Sequence, residues 1–149
     1  MFELVALLPH LAGLCLERIV LDGDSVTLFL APTQPTAPCP PCGSRSNRVH
    51  ERYRRTVVNL PCVGRTLVLR IHVRRFRCHN RDCPQVTFAE RLPKLAGVRA
   101  RRTHGQRAAL QDIGFALGGS AGARLARRRG LPASRSTLLR LISSPSASA

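Results

Sequence analysis

The chain has 149 residues, is 44% hydrophobic and carries a formal net charge of +16 from 24 basic and 8 acidic residues. This length suits one compact domain or two small ones, and no apolar run is long enough to span a bilayer. The first residues lack a basic start and a convincing cleavage site, so we expect a cytoplasmic protein without an export signal or a membrane partner.

The positive charge is unevenly distributed along the chain. Residues 1–44 contain one basic residue and four acidic ones, so the whole positive excess lies after Gly43. A chain this basic most often binds nucleic acid. All but one of the basic residues are arginines, whose planar guanidinium groups suit phosphate oxygens and guanine edges. The alternative is a compositional bias toward arginine on a solvated surface, although such a bias does not explain the uneven distribution.

The N-terminal part predicts an acidic β-hairpin. Residues 2–8 are compatible with a helix or a strand, and residues 16–21 follow as a strand. Asp22-Gly23 is a strong hairpin turn signal, and Ser25 to Ala31 forms the returning strand with Val26, Leu28 and Leu30 on one face. We interpret the hairpin as a packing element. Residues 32–38, rich in proline and threonine, are expected to form an extended linker.

Four cysteines form two close pairs, Cys39 with Cys42 and Cys78 with Cys83. These C-x2-C and C-x4-C pairs offer four sulfur ligands, which suffice for the tetrahedral shell of a structural Zn²⁺ ion. Two disulfides are disfavoured in a reducing cytoplasm, and four unrelated thiols remain the other alternative.

Other potential ligands are present in the sequence. His50 and His79 could substitute for a cysteine, although four cysteines already complete the site. Cys15 and Cys62 lie outside the two pairs and are interpreted as small buried hydrophobic residues.

The segment between the cysteine pairs predicts two antiparallel strands. Residues 67–74 alternate between apolar and polar side chains, with Leu67, Leu69, Ile71 and Val73 on one face. Residues 53–60 predict a second strand, and residues 61–64 the turn between the two. With a short strand at residues 86–88, they make a zinc-ribbon-like module.

Arginines follow both predicted strands and are candidates for contacts with DNA phosphates. They would position the protein on DNA rather than read its sequence. The alternative is a charged strand face that prevents edge aggregation. The candidates are Arg45, Arg48, Arg52, Arg54, Arg55, Arg70, Arg74, Arg75 and Arg77.

The hydrophobic period changes to a helical one after Thr103. A first helix is expected to end at Gly118-Gly119, and a second to run from Ala121 to Arg129 with Ser120 as its cap. Gly130-Leu131-Pro132 predicts a turn. Ser134 then caps a third helix.

This pattern of short helices around a glycine turn matches a helix-turn-helix. The third helix would be the recognition helix, and its polar residues Arg135, Ser136, Thr137 and Arg140 are the candidates for the major groove of DNA. The alternative is a plain helical hairpin with a basic surface. Ser143 to Ala149 is expected to be disordered.

The zinc segment resembles the N-terminal zinc finger of insertion-sequence transposases of the ISL-three family. The resemblance lies in Cys39-Pro40-Pro41-Cys42-Gly43, Val49-His50, Tyr53-Arg54-Arg55, Leu60-Pro61, Arg74-Arg75-Phe76-Arg77-Cys78, Cys83-Pro84 and Phe88-Ala89-Glu90-Arg91. The following helices are similar to that family's helix-turn-helix at Ile113-Gly114, Leu117-Gly118-Gly119, Gly122-Ala123, Leu125-Ala126 and Ser136-Thr137-Leu138-Leu139-Arg140.

The resemblance implies a DNA-binding part of a transposase that binds the terminal inverted repeats of a mobile element during transposition. Such a protein would be nucleoid-associated in a bacterium, with a homo-oligomer or a full-length transposase as further partner. The family's catalytic domain holds metal with three carboxylates, and we place no such triad among the eight acidic residues of this chain. We therefore expect a truncated copy or a fragment, and whether it has enzyme activity is left open.

The predicted fold class is α+β, with a small β zinc-ribbon-like module followed by an all-α helix-turn-helix module. The predicted domains are a hairpin and linker (1–38), the zinc module (39–94), the helix-turn-helix (95–143) and a disordered tail (144–149). The alternative function is a regulatory or inhibitory interaction protein derived from a transposase. RNA binding also stays open, although aromatic residues make up only 4% of the chain, which disfavours base stacking.

Overall fold

A mixed β-sheet forms the centre of this computed structural model, which describes residues 6–144. After a short 3-10 helix at Pro9–Leu11, the strands are β1 (Leu14–Asp22), β2 (Ser25–Pro32), β3 (Ala37–Pro38), β4 (Arg45–Ser46), β5 (Val49–Cys62), β6 (Arg65–Arg77) and β7 (Thr87–Ala89). Two helices follow, α1 (His104–Arg128) and α2 (Arg135–Ser143). The molecule is therefore mixed α+β, as predicted, and most of its regular structure is sheet.

The main sheet joins the N-terminal hairpin to the strands between the cysteine pairs. Its order is β1-β2-β6-β5, with β7 paired to the end of β6, while β3 and β4 form a separate two-stranded sheet. The predicted antiparallel pairs β1–β2 and β5–β6 are confirmed. The parallel pairing of β2 with β6 was not predicted, and it makes the hairpin part of the same sheet.

The turn between β5 and β6 is shorter than predicted. Pro61 and Cys62 still belong to β5, and only Val63 and Gly64 form the turn, both with positive φ (50° and 74°). Positive φ at both central residues is typical of the two-residue turns that match the twist of a hairpin. Val63 is 95% exposed, so its side chain meets no packing neighbour there.

One face of the sheet is buried and the other is open to solvent. The alternating residues of β6 that were predicted to face a core are all buried. They pack on the 3-10 helix and on the segment after β7. This core comprises Leu11, Leu14, Leu28, Leu30, Val57, Leu67, Leu69, Ile71, Val73, Leu95 and Ala96. The opposite face carries most of the polar residues of β5 and β6.

The element α1 contains the first two predicted helices, which meet in a kink at the predicted boundary Gly118-Gly119. Gly118 interrupts it with φ 75° and ψ −163°, a conformation that side chains disfavour. Ser120 lies beyond the kink with helical backbone angles, so its predicted role as a cap is wrong. The cap of α2 by Ser134, whose side chain accepts a hydrogen bond from Thr137 N, is confirmed.

A glycine turn connects the two helices. Gly130 has φ 76°, and the amide of Leu131 donates to Ala126 O at 2.8 Å, which completes a Schellman motif. Thr66 Oγ1 donates to Gly130 O at 3.1 Å, so this turn docks on the start of β6, beside the β5–β6 turn. A Cβ at position 130 would lie 3.2 Å from Gly64 O, so another residue would add a tight contact to the strain of the positive φ.

Glycines also bring α1 and α2 into close contact. A Cβ at Gly114 would lie 2.7 Å from Ile142 Cγ2, and one at Gly122 would lie 3.0 Å from Leu138 Cδ1. The small residues thus allow α2 to cross α1 at short range. The resulting helical core comprises Leu110, Ala123, Ala126, Leu131 and Leu138.

The start of α1 is tied to the edge of the sheet. Thr103 is the N-cap of α1, and its backbone amide donates to Val58 O on β5. Its hydroxyl donates to Asn59 Oδ1 at 2.9 Å, and both side chains are buried.

Two of the sequence predictions fall partly outside the described residues. These are the helix or strand at residues 2–8 and the disorder of residues 143–149. Within residues 6–144, no helix is long and apolar enough to cross a bilayer.

Candidate metal centre and nucleic-acid interface

The four predicted metal ligands come together at one end of the main sheet. The Sγ atoms of Cys39, Cys42, Cys78 and Cys83 all lie within 4.8 Å of one another. The distance from Cys39 Sγ to Cys83 Sγ is 3.8 Å, and from Cys42 Sγ to Cys78 Sγ it is 3.6 Å. These separations exceed an S–S bond of about 2.05 Å, so the thiols are not paired as disulfides.

The first cysteine pair lies in a tight turn between β3 and β4. Cys39 N donates to Ser44 O at 2.9 Å, and Gly43 N donates to Cys39 O at 2.8 Å. Gly43 supplies the positive φ of 73° that closes this turn. The backbone therefore aims both sulfurs of the pair at one point.

The second cysteine pair lies between β6 and β7. Cys78 follows the last residue of β6, and its amide donates to Val86 O at 2.9 Å. Cys83 N donates to Asn80 O at 3.2 Å, which forms the turn of the longer C-x4-C pair. The extra two residues are accommodated by Asn80, whose side chain also accepts from Asp82 N.

A small separate core supports the metal centre. Phe76 and Phe88 stack with ring centroids 5.6 Å apart and are buried together with Ala37 and Cys39. Ser46 is also buried, and its hydroxyl donates to Arg77 O, which links β4 to the end of β6. This contact and the aromatic pair join the two cysteine turns through the protein itself.

The thiols differ in acidity because their surroundings differ. The backbone N–H of Ser44 lowers the pKa of Cys42 to about 6, so this thiol is mostly a thiolate at neutral pH. Burial raises the pKa of Cys39 to about 12 and also raises the pKa of Cys78. A divalent cation would stabilise the thiolate form of these buried groups, which are otherwise costly to ionise.

The geometry fits a tetrahedral zinc ion. Zn–S bonds of about 2.3 Å imply sulfur–sulfur distances of about 3.8 Å, close to those of the two measured pairs. His50 and His79 lie outside this group of ligand atoms. Cys62 is the last residue of β5, beside the β5–β6 turn, and its side chain is exposed there. Its interpretation as a buried residue is therefore wrong. Cys15 is half-buried.

Some of the predicted phosphate-binding arginines already have partners within the protein. Arg74 Nη2 lies 2.6 Å from Glu90 Oε1, and both side chains are about nine-tenths buried, at 11% and 8% exposure. Its guanidinium also donates to Gln34 O. The charge of Arg74 is thus neutralised and covered within the protein, and its contact with phosphate stays a prediction. Arg75 is half-exposed and lies 3.8 Å from Glu51.

Two more of these arginines hold loops in place. Arg55 shares the core face with Ile71 and donates to the carbonyls of Gly97 and Ala100. It therefore anchors the segment that covers the sheet, and its contact with phosphate stays a prediction. Arg45 is exposed but donates to Thr36 Oγ1 at 3.0 Å.

The other predicted arginines of this region are exposed and have no carboxylate partner within residues 6–144. On the open face of the sheet, Arg54 and Arg70 approach the ring of Phe29 from β2, with Cζ-to-centroid distances of 5.8 and 5.9 Å. Arg18 from β1 lies over the same ring at 4.1 Å. Sequence reasoning missed Arg18 and Phe29. Phe29 could have been found as an aromatic residue at an outward position between Leu28 and Leu30. The exposed, unpaired arginines predicted here are Arg48, Arg52, Arg54, Arg70 and Arg77.

The predicted recognition residues lie at the start and middle of α2. Arg135, Ser136 and Arg140 are exposed, while Thr137 is half-buried and hydrogen-bonded to Ser134. Burial lowers the pKa of Arg102, and the positive charge of nearby Arg140 lowers it further. Two guanidinium groups therefore lie close together beside α2 without an acidic partner among the described residues.

Comparison with known proteins identifies the metal-binding segment. Residues 35–83 match the zinc-finger of transposase IS204/IS1001/IS1096/IS1165. The match covers about a third of the chain, includes all four cysteines and confirms the resemblance for this segment. It does not include α1 and α2. No curated protein and no solved structure matches the chain. The four cysteines thus form the structural Zn²⁺ site of a transposase-type zinc finger.

Proposed function

We propose that this chain is a transposase-derived DNA-binding protein that uses its zinc finger and a helix-turn-helix to bind the terminal inverted repeats of an insertion sequence. The observation that carries the proposal is the four-cysteine site within the segment that matches a transposase zinc finger. The net charge of +16 supports a polyanionic partner.

The zinc site acts as a structural support in this proposal. It joins β3 and β4 to the ends of β6 and β7, next to the buried aromatic pair. A structural zinc site contributes folding free energy without taking part in chemistry. Exposed arginines on the strands would then approach phosphates from a rigid sheet.

The helix α2 is the proposed reader of base sequence. Leu138 packs into the helical core, which leaves Arg135, Ser136 and Arg140 on the exposed side. Helix-turn-helix proteins contact base edges with the N-terminal residues of the second helix. The turn before α2 docks on the β5–β6 hairpin, so sheet and helix would engage DNA in a fixed relation.

Arg140 has a further property that favours an anionic partner. It lies close enough to Arg102 for the two positive charges to oppose each other. Within residues 6–144 neither side chain forms an ion pair, so bound phosphate or a guanine edge would relieve the repulsion.

The test is a selection from a random pool of DNA duplexes with the zinc-loaded full chain. We expect enrichment of one sequence motif and an affinity for it that falls steeply with salt concentration. Arg140→Ala should reduce the preference for that motif by about 1–3 kcal/mol, because the variant cannot form bidentate hydrogen bonds to a base.

Arg81→Ala is the matched control, since Arg81 is an exposed residue of equal charge in the second cysteine turn. It should leave the sequence preference unchanged. Failure of the parent to enrich any motif would contradict sequence-specific binding. Equal reductions in both variants would remove α2 as the recognition helix.

A further inference from the structure

We propose that the open face of the main sheet is a second DNA-contact surface, which grips the phosphate backbone of duplex DNA through Arg18, Arg54 and Arg70 around Phe29. This inference rests on the proposed function. It adds the N-terminal hairpin, whose residues lie outside both the zinc site and the helices, to the interface with DNA.

The four residues lie on one face of the sheet. In the strand register, Arg18 on β1 is opposite Phe29 on β2, Phe29 is opposite Arg70 on β6, and Arg70 is opposite Thr56 on β5. Adjacent strands are about 4.8 Å apart, so this row is about 14 Å long. Arg54 belongs to the next row on β5, opposite His72. Three guanidinium groups from three strands thus converge on one ring.

The three arginines of this cluster have no carboxylate at ion-pair distance within residues 6–144. Two other arginines of the sheet have carboxylate partners, Arg74 with Glu90 and Arg75 with Glu51. Glu17, next to Arg18 in sequence, lies 3.6 Å from His72 instead. No ion pair within residues 6–144 involves the three clustered arginines. Like charges this close disfavour one another, so an anion bound between them would be stabilising.

The accessible chemistry of the cluster favours phosphate over bases. Phe29 is only 8% exposed, because the guanidinium groups cover its ring. A base therefore cannot stack on it, as it would on the open aromatic platforms of proteins that bind single strands. The groups that remain accessible are guanidiniums, whose N–H donors match phosphate oxygens. A duplex backbone is consequently the partner that this face fits.

The experiment compares two triple variants of the zinc-loaded full chain in salt titrations of duplex binding. In R18Q/R54Q/R70Q the glutamine stems still shield Phe29, while three positive charges are removed. The matched control is R91Q/K94Q/R101Q, which removes three exposed charges outside the open face. Circular dichroism and zinc content verify folding.

We expect the plot of log affinity against log salt to become shallower by about 0.9 for each phosphate that the variant no longer neutralises, hence by about 2.7 in R18Q/R54Q/R70Q. The control should keep the parent slope. If the triple variant does not fold, Arg18→Gln alone, on the edge strand, should reduce the slope by about 0.9.

The outcomes separate this inference from the proposed function. In one outcome, the parent shows a sequence preference that depends on Arg140 while the triple variant has the same salt slope as the parent. That result overturns the second surface but leaves the proposed function in place. A parent that does not bind duplex DNA overturns both. Tighter binding of a single strand of the same length, abolished in the triple variant, would assign the face to single strands and overturn the duplex inference.

Discussion

The sheet and the helical region obtain their stability in different ways. The sheet has a long β5–β6 hairpin, a buried aliphatic face and a four-cysteine centre at one end. The helical region has only a small core around Leu138 and depends on glycines for close packing. The helical region is attached at the turn of the β5–β6 hairpin, whereas the metal centre lies at the other end of β6. The small core around the cysteines is therefore supported by the metal. The small core of the helical region is supported by its docking on the sheet.

The two regions also differ in how their charges are balanced. In the sheet, Glu17, Glu51 and Glu90 each lie near a basic partner. Residues 103–143 contain seven arginines and a single acidic residue, Asp112, and no ion pair within the described part of the chain involves them. Within the described part of the chain, the ion pairs thus all involve basic residues of the sheet.

The largest expected effect is the loss of the metal centre in Cys39→Ser. Structural zinc contributes about 10–16 kcal/mol of apparent binding free energy in zinc-finger peptides, which exceeds the cost of any single core substitution. We expect loss of bound zinc and a much lower Tm. Elemental analysis and thermal unfolding check this.

The control for this change is Cys62→Ser, since Cys62 is an exposed thiol outside the metal centre. It should keep one zinc per chain and the parent Tm. A Cys39→Ser protein with the zinc content and Tm of the parent would contradict the metal centre as the main support of the sheet.

A smaller effect is expected in the helical core from Leu138→Ala. Leu138 of α2 is fully buried against α1, so its truncation should lower the free energy of unfolding by about 2–5 kcal/mol. Leu139→Ala, at the neighbouring position with 38% exposure, should cost clearly less. Denaturant unfolding of both variants measures the difference, and equal costs would refute the packing of α2 on α1.

The junction between the two regions is tested by Thr103→Ala. This change removes both the cap of α1 and the hydroxyl that donates to the buried Asn59. Loss of a cap costs about 0.5–2 kcal/mol, and the unsatisfied acceptor adds to this cost. Ser134→Ala removes the exposed cap of α2 and is expected to cost less. Chemical denaturation measures both free energies of unfolding. A larger loss in Ser134→Ala than in Thr103→Ala would argue against a rigid junction.

The smallest expected effect is a pH dependence from His10. Burial lowers the pKa of His10 below its ordinary value of 6.5, while a hydrogen bond with Asn59 partly opposes the shift. The unfolded chain therefore binds a proton more readily. The contribution of His10 to stability is present above pH 6.5 and is lost as pH falls toward the folded-state pKa.

His10→Gln should accordingly flatten the decline in the free energy of unfolding on the acidic side of pH 6.5, measured with excess zinc. His79→Gln, at an exposed position, controls for the removal of a histidine ring. An unchanged decline in the His10 variant would show that another group is responsible.

Local patterns in the sequence were sufficient to predict the metal ligands, the two long strands and the cap of α2. Each depends on residues close together in the chain, such as the spacing of Cys39 and Cys42 or the alternation from Leu67 to Val73. Such signals persist in the folded state because short-range geometry decides them. Ser120 is not a cap because the helix is interrupted two residues earlier, at Gly118, and Ser120 already has helical backbone angles. The predicted domain boundaries and the recognition helix remain predictions.

Pairings between distant segments were decided only by the tertiary structure. The parallel register of β2 on β6 brings Phe29 opposite Arg70, and no local pattern specifies which distant strand will pair. The same folding places Glu90 against Arg74 and turns Arg55 toward Gly97, which separates structural arginines from free ones. Arginine has the same side chain at every position, so its role depends on whether burial and an acidic partner neutralise its charge.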